Sequence, residues 1–95
     1  MNILILGAGQ VGSNLARYLC TNSSHNITIV DIRECNLKLL QRHLDIKIIV
    51  GNGSYPSVLE KAGIKDMDMV ISVMKYDESN MVACRIAHTL YHVKN

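Results

Sequence analysis

Four short runs of apolar, mostly β-branched residues punctuate the chain at positions 2–6, 27–30, 46–50 and 69–73, each bounded by Gly, Asp or Asn. Apart from Asn2, Thr28, Lys47 and Ser72, the positions within the runs are apolar rather than alternating apolar and polar, the pattern of a strand buried on both faces. Between the runs, apolar residues fall at helical spacing: Val11, Leu15, Tyr18 and Leu19, then Leu37, Leu40 and Leu44, then Val58, Leu59 and Ala62. A further helix is predicted over residues 80–92. Strands alternating with amphipathic helices predict an α/β fold built of βαβ units around a parallel sheet.

The element ends carry their own signals. Ser54 is positioned to cap the third helix, with Pro56 in its first turn, Ser57 and Glu60 at capping-box spacing, and Gly63 placed to end it in the left-handed conformation. Ser79 would cap the fourth. Right-handed crossovers put the first strand in the centre, the second and third on one side and the fourth on the other. This is a Rossmann-like, doubly wound sheet, but such sheets usually have five or six strands and the alternation here ends after four. The pattern therefore predicts either the first part of a longer domain, truncated at about four strands, or a fourth strand whose edge a second chain covers.

Composition narrows the class. With 95 residues, 48% of them apolar and 19% charged, the chain can form one small globular domain. No stretch approaches the roughly 18 uninterrupted apolar residues of a membrane span, and the first apolar run is too short for a secretory signal, so a soluble, intracellular protein is expected. The net charge of +2 is spread along the chain, which gives no case for nucleic-acid binding. Cys20, Cys35 and Cys84 form no CxxC pair and are expected to be reduced packing residues. Met67, Met69 and Met74 around the fourth strand are core filler or part of an association surface. There is no internal repeat, linker or low-complexity tract.

Chemistry enters at the first strand-to-helix junction. Gly7, Gly9 and Gly12 form GxGxxG there. Gly7 permits the tight turn, Gly9 lacks the Cβ that would block a pyrophosphate, and Gly12 lets helix and sheet pack closely. Phosphates are favoured at the helix N-terminus by its free N–H groups and dipole. Asp31 ends the second strand about 20 residues further on, where a carboxylate accepts hydrogen bonds from the adenosine ribose and repels a 2′-phosphate, favouring NAD over NADP. Arg33 has two readings, a partner for a 2′-phosphate or the adenine face, and a solvated charge opening the second helix. Asn52, Gly53 and Ser54 either border the adenine or make an ordinary strand-to-helix turn. The loop over residues 74–80 faces the glycine turn across the switch point.

No acid, base or nucleophile has recognisable catalytic context, and GxxxxGK[ST] is absent. Cys84, His88 and His92 stand four apart on the last predicted helix, but packing and surface roles outweigh a metal site without a further ligand nearby.

The stretches "ILGAGQVGSNLA", "ITIVDI", "VGNGSYPSVLEKAG" and "YDESNMVACRIAHTL" together resemble the regulatory nucleotide-binding domains of potassium transport known as RCK or KTN. The resemblance covers nearly the whole of residues 1–95 and implies a non-enzymatic regulatory domain that binds NAD or NADH, or ATP or ADP, as effectors. It also implies a homodimer or higher oligomer, peripheral at the cytoplasmic face of the membrane, controlling a Trk-type potassium-transporting membrane protein. Carried over by position, Gly7, Ala8, Gly9, Gln10 and Val11 cradle the phosphates, Asp31 holds the ribose, and Val73 and Met74 line the site. The family often carries a small polar residue where Met74 stands, and its domain continues into further strands and a second, ligand-sensing domain. Two other readings share these residues: the cofactor half of an NAD-dependent oxidoreductase, and a fold used only for dimerisation.

Overall fold

A computed structural model describes residues 1–22 and 25–74. The predicted helix over 80–92, its cap Ser79, the loop beyond Met74, and Cys84, His88 and His92 lie outside the described residues. The elements run β1 (Asn2–Leu6), α1 (Gln10–Asn22), β2 (Asn26–Asp31), α2 (Glu34–His43), β3 (Lys47–Val50), α3 (Pro56–Lys61), a 3-10 turn (Ile64–Asp66) and β4 (Met69–Ser72). The four strands form one parallel sheet in the order β3-β2-β1-β4, the order that right-handed crossovers dictate.

The consecutive apolar runs are explained by two cores, one on each face of the sheet. Leu4, Leu6, Val30 and Val70 pack with Leu59, Ala62 and Ile64 beneath α3. Ile3, Ile5, Ile27 and Ile29 point the other way and pack with Ala16, Leu37 and Leu40 beneath α1 and α2. Alternate residues of β1 thus serve opposite cores, and all of Ile3, Leu4, Ile5 and Leu6 are essentially inaccessible. Met67 and Met74 pack against the α3-side core and Met69 against the other. Cys20 packs in the same way, but Cys35 is exposed on α2 and fills nothing.

Two expectations are corrected. Of the stripe expected on α1, Leu15 and Leu19 pack against the core, but Val11 and Tyr18 are each 65% exposed. Gly12 and the fully buried Ala16 face the sheet instead, flanked by partly buried Leu15, Leu19 and Cys20. The helix is turned by about one residue, or roughly 100°, because the smallest side chains allow the closest approach. Ser54 does not cap α3, and Ser57 lies inside the helix, so no capping box forms. Pro56 is the first helical residue and holds Tyr55 extended (φ −96, ψ 129), which makes Tyr55 the N-cap. The Tyr55 carbonyl accepts from the N–H groups of Val58 and Leu59 at 3.1 Å. Gly63 follows α3 with φ +82, in the left-handed region, and turns the chain into the 3-10 segment.

Candidate functional site

The strand ladder continues one residue past the ends of the strands, and this sets the site. Gly7 N–H donates to the Val30 carbonyl at 2.7 Å, Gly51 N–H to Asp31 at 2.9 Å, and Val73 N–H to Leu6 at 2.8 Å. Four loops therefore leave the sheet side by side at the carboxyl ends of its strands, flanking the switch point between β1 and its two neighbours. Between them lies a crevice of about 340 Å³ lined by Gly7, Asp31, Arg33, Asn52, Gly53, Val73 and Met74, together with Val30, Ile32 and Gly51.

The glycine turn has the geometry its spacing requires. Gly7 has φ +112, and a Cβ there would come within 2.8 Å of the Val73 carbonyl oxygen. A Cβ on Gly12 would overlap the Gly7 carbonyl oxygen, so α1 rests directly on the turn. Gly9 is different: its missing Cβ faces open space, with only the Arg33 guanidinium near it at 3.9 Å. The helical ladder of α1 begins with Ser13 N–H donating to Gly9 at 2.9 Å, which leaves the N–H groups of Gln10, Val11 and Gly12 ahead of it. The Ser13 hydroxyl donates to the Ala8 carbonyl at 3.0 Å and braces the loop. Ala8 and Gly12 are buried, while Gln10 and Val11 are exposed at the head of the helix.

Asp31 is tied into this turn. Its Oδ2 accepts from the Ala8 N–H at 2.7 Å, and its Oδ1 accepts from the Arg33 N–H at 2.7 Å and the Arg33 Nε at 3.3 Å. Burial by itself would raise the carboxyl pKa, but the two backbone N–H groups and the Arg33 side chain outweigh it and hold the pKa below the ordinary value. Because the folded-state pKa is the lower one, the ionised carboxylate contributes stability above the ordinary aspartate range, and that stability is lost as pH falls through the lowered value. Asp31→Asn is expected to lose about 2 kcal/mol at neutral pH, since an amide cannot accept from both Ala8 and Arg33. It should also flatten the decline in stability below about pH 4, which urea unfolding across a pH series measures.

Across the crevice, Asn52 Oδ1 accepts from the Ser54 N–H at 2.9 Å and the Ser54 hydroxyl at 2.6 Å. This side-chain turn holds Asn52 at the crevice and uses Ser54 to orient it; Ser54 itself does not line the space. Gly53 is buried against Leu6 and Met74. Ile32 and Gly51 were not anticipated from the sequence. Ile32 follows the acidic residue directly and is 67% exposed, an apolar surface at the rim that suits a flat ring. A larger recess of about 470 Å³ lies at the opposite, amino ends of the strands, among Asn2, Asn26, Thr28, Lys47 and Asp66. Its lining includes neither the glycine turn nor the N-terminus of an α-helix, so size is outweighed there by the placement of chemistry.

Comparison with known proteins agrees with this fold. The model of the TrkA-N domain matches residues 3–95. The chain is 50% identical over 91 residues to the Trk system potassium uptake protein TrkA of Halomonas elongata, covering 96% of this chain and 20% of that protein. It is 45% identical over 95 residues to the protein of the same name from Vibrio alginolyticus, covering 100% of this chain and again 20% of that protein. The chain thus spans about a fifth of the length of these relatives. Among solved structures, the Kef C-terminal domain of Shewanella denitrificans in AMP-bound form superposes with a TM-score of 0.85 at 22% identity, over 99% of this chain and 56% of that one. A short-chain dehydrogenase/reductase of Veillonella parvula in complex with NADP superposes with a TM-score of 0.79 at 24% identity, over 97% of this chain and 43% of that one. At such identities these two structures speak to the fold alone. The family match and the curated relatives go further, and by them the chain belongs to the TrkA-N domain family.

Proposed function

We propose that this chain is the nucleotide-binding part of a non-enzymatic regulatory subunit controlling a Trk-type potassium uptake transporter. NAD or NADH is its effector, with ATP or ADP as alternatives. The observation that carries the reading is one crevice lined by both Gly7, which opens the glycine turn leading directly into α1, and an ionised Asp31 bonded back to that turn through the Ala8 N–H. Each part suits one part of an adenine nucleotide. The open face of Gly9 and the leading amides of α1 receive phosphate oxygens. Asp31 accepts from the ribose, and Ile32 with the loop from Gly51 to Gly53 borders the base. The remaining capacity of Asp31 is for accepting hydrogen bonds, which is a binding role; its depressed pKa makes it a poor proton donor or base near neutral pH.

The names of the relatives support a potassium-transporting membrane protein as the partner. Among the described residues no helix is long and apolar enough to cross a membrane. A homodimer or higher oligomer is the assembly through which an effector would act, and nucleic acid is not a partner. Regulation requires that the nucleotide bind two arrangements of that assembly with unequal affinity; equal affinity would shift nothing.

Calorimetric titration with NAD, NADH, ATP and ADP tests the binding half of this reading. At least one of them is expected to bind saturably and to raise the melting temperature. A folded chain that takes up none of them would overturn it. Flux through the transporter, measured with and without the subunit, tests the other half.

A further inference from the structure

Asp31 and Arg33 meet at the rim of the crevice, and the chain itself uses most of the carboxylate's accepting capacity. A carboxylate offers about four acceptor positions. Oδ1 receives the Arg33 N–H at 2.7 Å and the Arg33 Nε at 3.3 Å, and Oδ2 receives the Ala8 N–H at 2.7 Å. A ribose that donates both hydroxyls needs two positions. One remains on Oδ2, and the second opens only if the long Arg33 contact lets go. An unmodified ribose therefore gains less here than a bare carboxylate would give it.

The same pair changes the electrostatics. Alone, Asp31 would repel a phosphate on the ribose, but its side chain is 7% exposed whereas that of Arg33 is 57% exposed. What a ligand meets at the rim is the guanidinium. Among the described residues only Nε of that group bonds a protein acceptor, so the outer N–H donors are available to phosphate oxygens in the two-pronged geometry that arginine favours. The guanidinium also lies 3.9 Å from where a Cβ on Gly9 would stand, between the ribose end of the crevice and the glycine turn. Its place is fixed from below because Arg33 is the N-cap residue of α2, with its N–H anchored to Asp31.

We propose that Arg33 makes the ribose end of this site accept a 2′-phosphate, so that 2′-phosphorylated dinucleotides of the NADP type bind about as well as NAD. The proposal rests on the nucleotide-binding reading above and removes the preference for NAD that Asp31 by itself would impose.

Titrating the chain with NAD and NADP side by side, in the wild type and in Arg33→Ala, decides it. The wild type is expected to bind the two within about tenfold, and Arg33→Ala to weaken NADP by about tenfold or more while NAD binding stays level or tightens, as the loss of one charge-assisted phosphate fork implies. Arg33→Ala keeps the backbone N–H bond to Asp31, so its melting temperature should stay close to the wild type and a loss of binding cannot be read as a loss of fold. A wild type that prefers NAD by more than about tenfold overturns the proposal and leaves the nucleotide reading standing. An equal loss of both ligands in Arg33→Ala also overturns it, since Arg33 would then be a contact to the diphosphate. Binding of neither ligand by the wild type overturns the dinucleotide reading, and this proposal with it.

Discussion

Gly12→Ala is expected to cost about 3 kcal/mol or more, the upper end for an overpacked site, because the added methyl group has nowhere to go. It would overlap the carbonyl oxygen of Gly7, a backbone atom, and lie 3.3 Å from Val73 Cγ2. The turn cannot yield easily. Gly7 already sits at φ +112, and the position of its own missing Cβ is 2.8 Å from the Val73 carbonyl oxygen, so the two chain segments are in backbone contact. The remaining way out is for α1 to rise off the sheet, which would expose Ala16 and the partly buried Leu15, Leu19 and Cys20. In a domain of this size the whole folding free energy is on the order of 5–10 kcal/mol. A loss of about 3 kcal/mol corresponds to a fall of roughly 12–24 °C in melting temperature, which a thermal scan reads directly. A shift of less than about 1 kcal/mol would mean that α1 has room to move away from the Gly7 carbonyl without losing its packing on the sheet.

The same contact explains why one helix was misread and the strands were not. A strand buried on both faces announces itself by consecutive apolar residues, and the order β3-β2-β1-β4 then follows from chirality. The orientation of α1 depends on its smallest residues. Gly12 and Ala16 carry little hydropathy, yet they set where helix and sheet approach, so a stripe drawn through Val11 and Tyr18 was off by one position. The start of α3 turned on Pro56: its effect on the preceding residue moved the N-cap to Tyr55 and freed Ser54 to bond Asn52.

The site divides along a similar line. Positions were legible because fold and motif fix them: Gly7, Asp31, Asn52, Gly53, Val73 and Met74 all come to one crevice. Hydrogen-bond partners were not legible, because they depend on ångström-scale geometry. No spacing rule says that Asp31 would accept from Ala8, 23 residues earlier, or that Arg33 would serve both as the N-cap residue of α2 and as the carboxylate's partner. The signal for Ile32 was present, an apolar residue directly after the strand-ending aspartate, but it reads as sequence noise until the rim of the crevice is seen.

Gly9→Val separates binding from folding, and it is expected to abolish nucleotide binding while leaving the domain intact. Unlike Gly12, Gly9 presents its missing Cβ to open space, with a movable guanidinium at 3.9 Å as its nearest neighbour. Its φ lies outside the positive region that only Gly7 and Gly63 occupy among the described glycines, so a branched side chain fits the backbone there. The melting temperature should therefore stay within a few degrees of the wild type, equivalent to less than about 1 kcal/mol. The valine methyl groups would instead occupy the space in which a diphosphate approaches the turn, holding it off the leading amides of α1. Loss of even two or three charge-assisted hydrogen bonds weakens binding by about a thousandfold or more, enough to remove the calorimetric signal. Retained binding in Gly9→Val would place the phosphates away from the glycine turn. Coincident loss of binding and of cooperative unfolding would show instead that Gly9 is packed as tightly as Gly12. The pair of variants thus assigns the two glycines to different physical tasks, one to the seating of α1 and the other to the ligand.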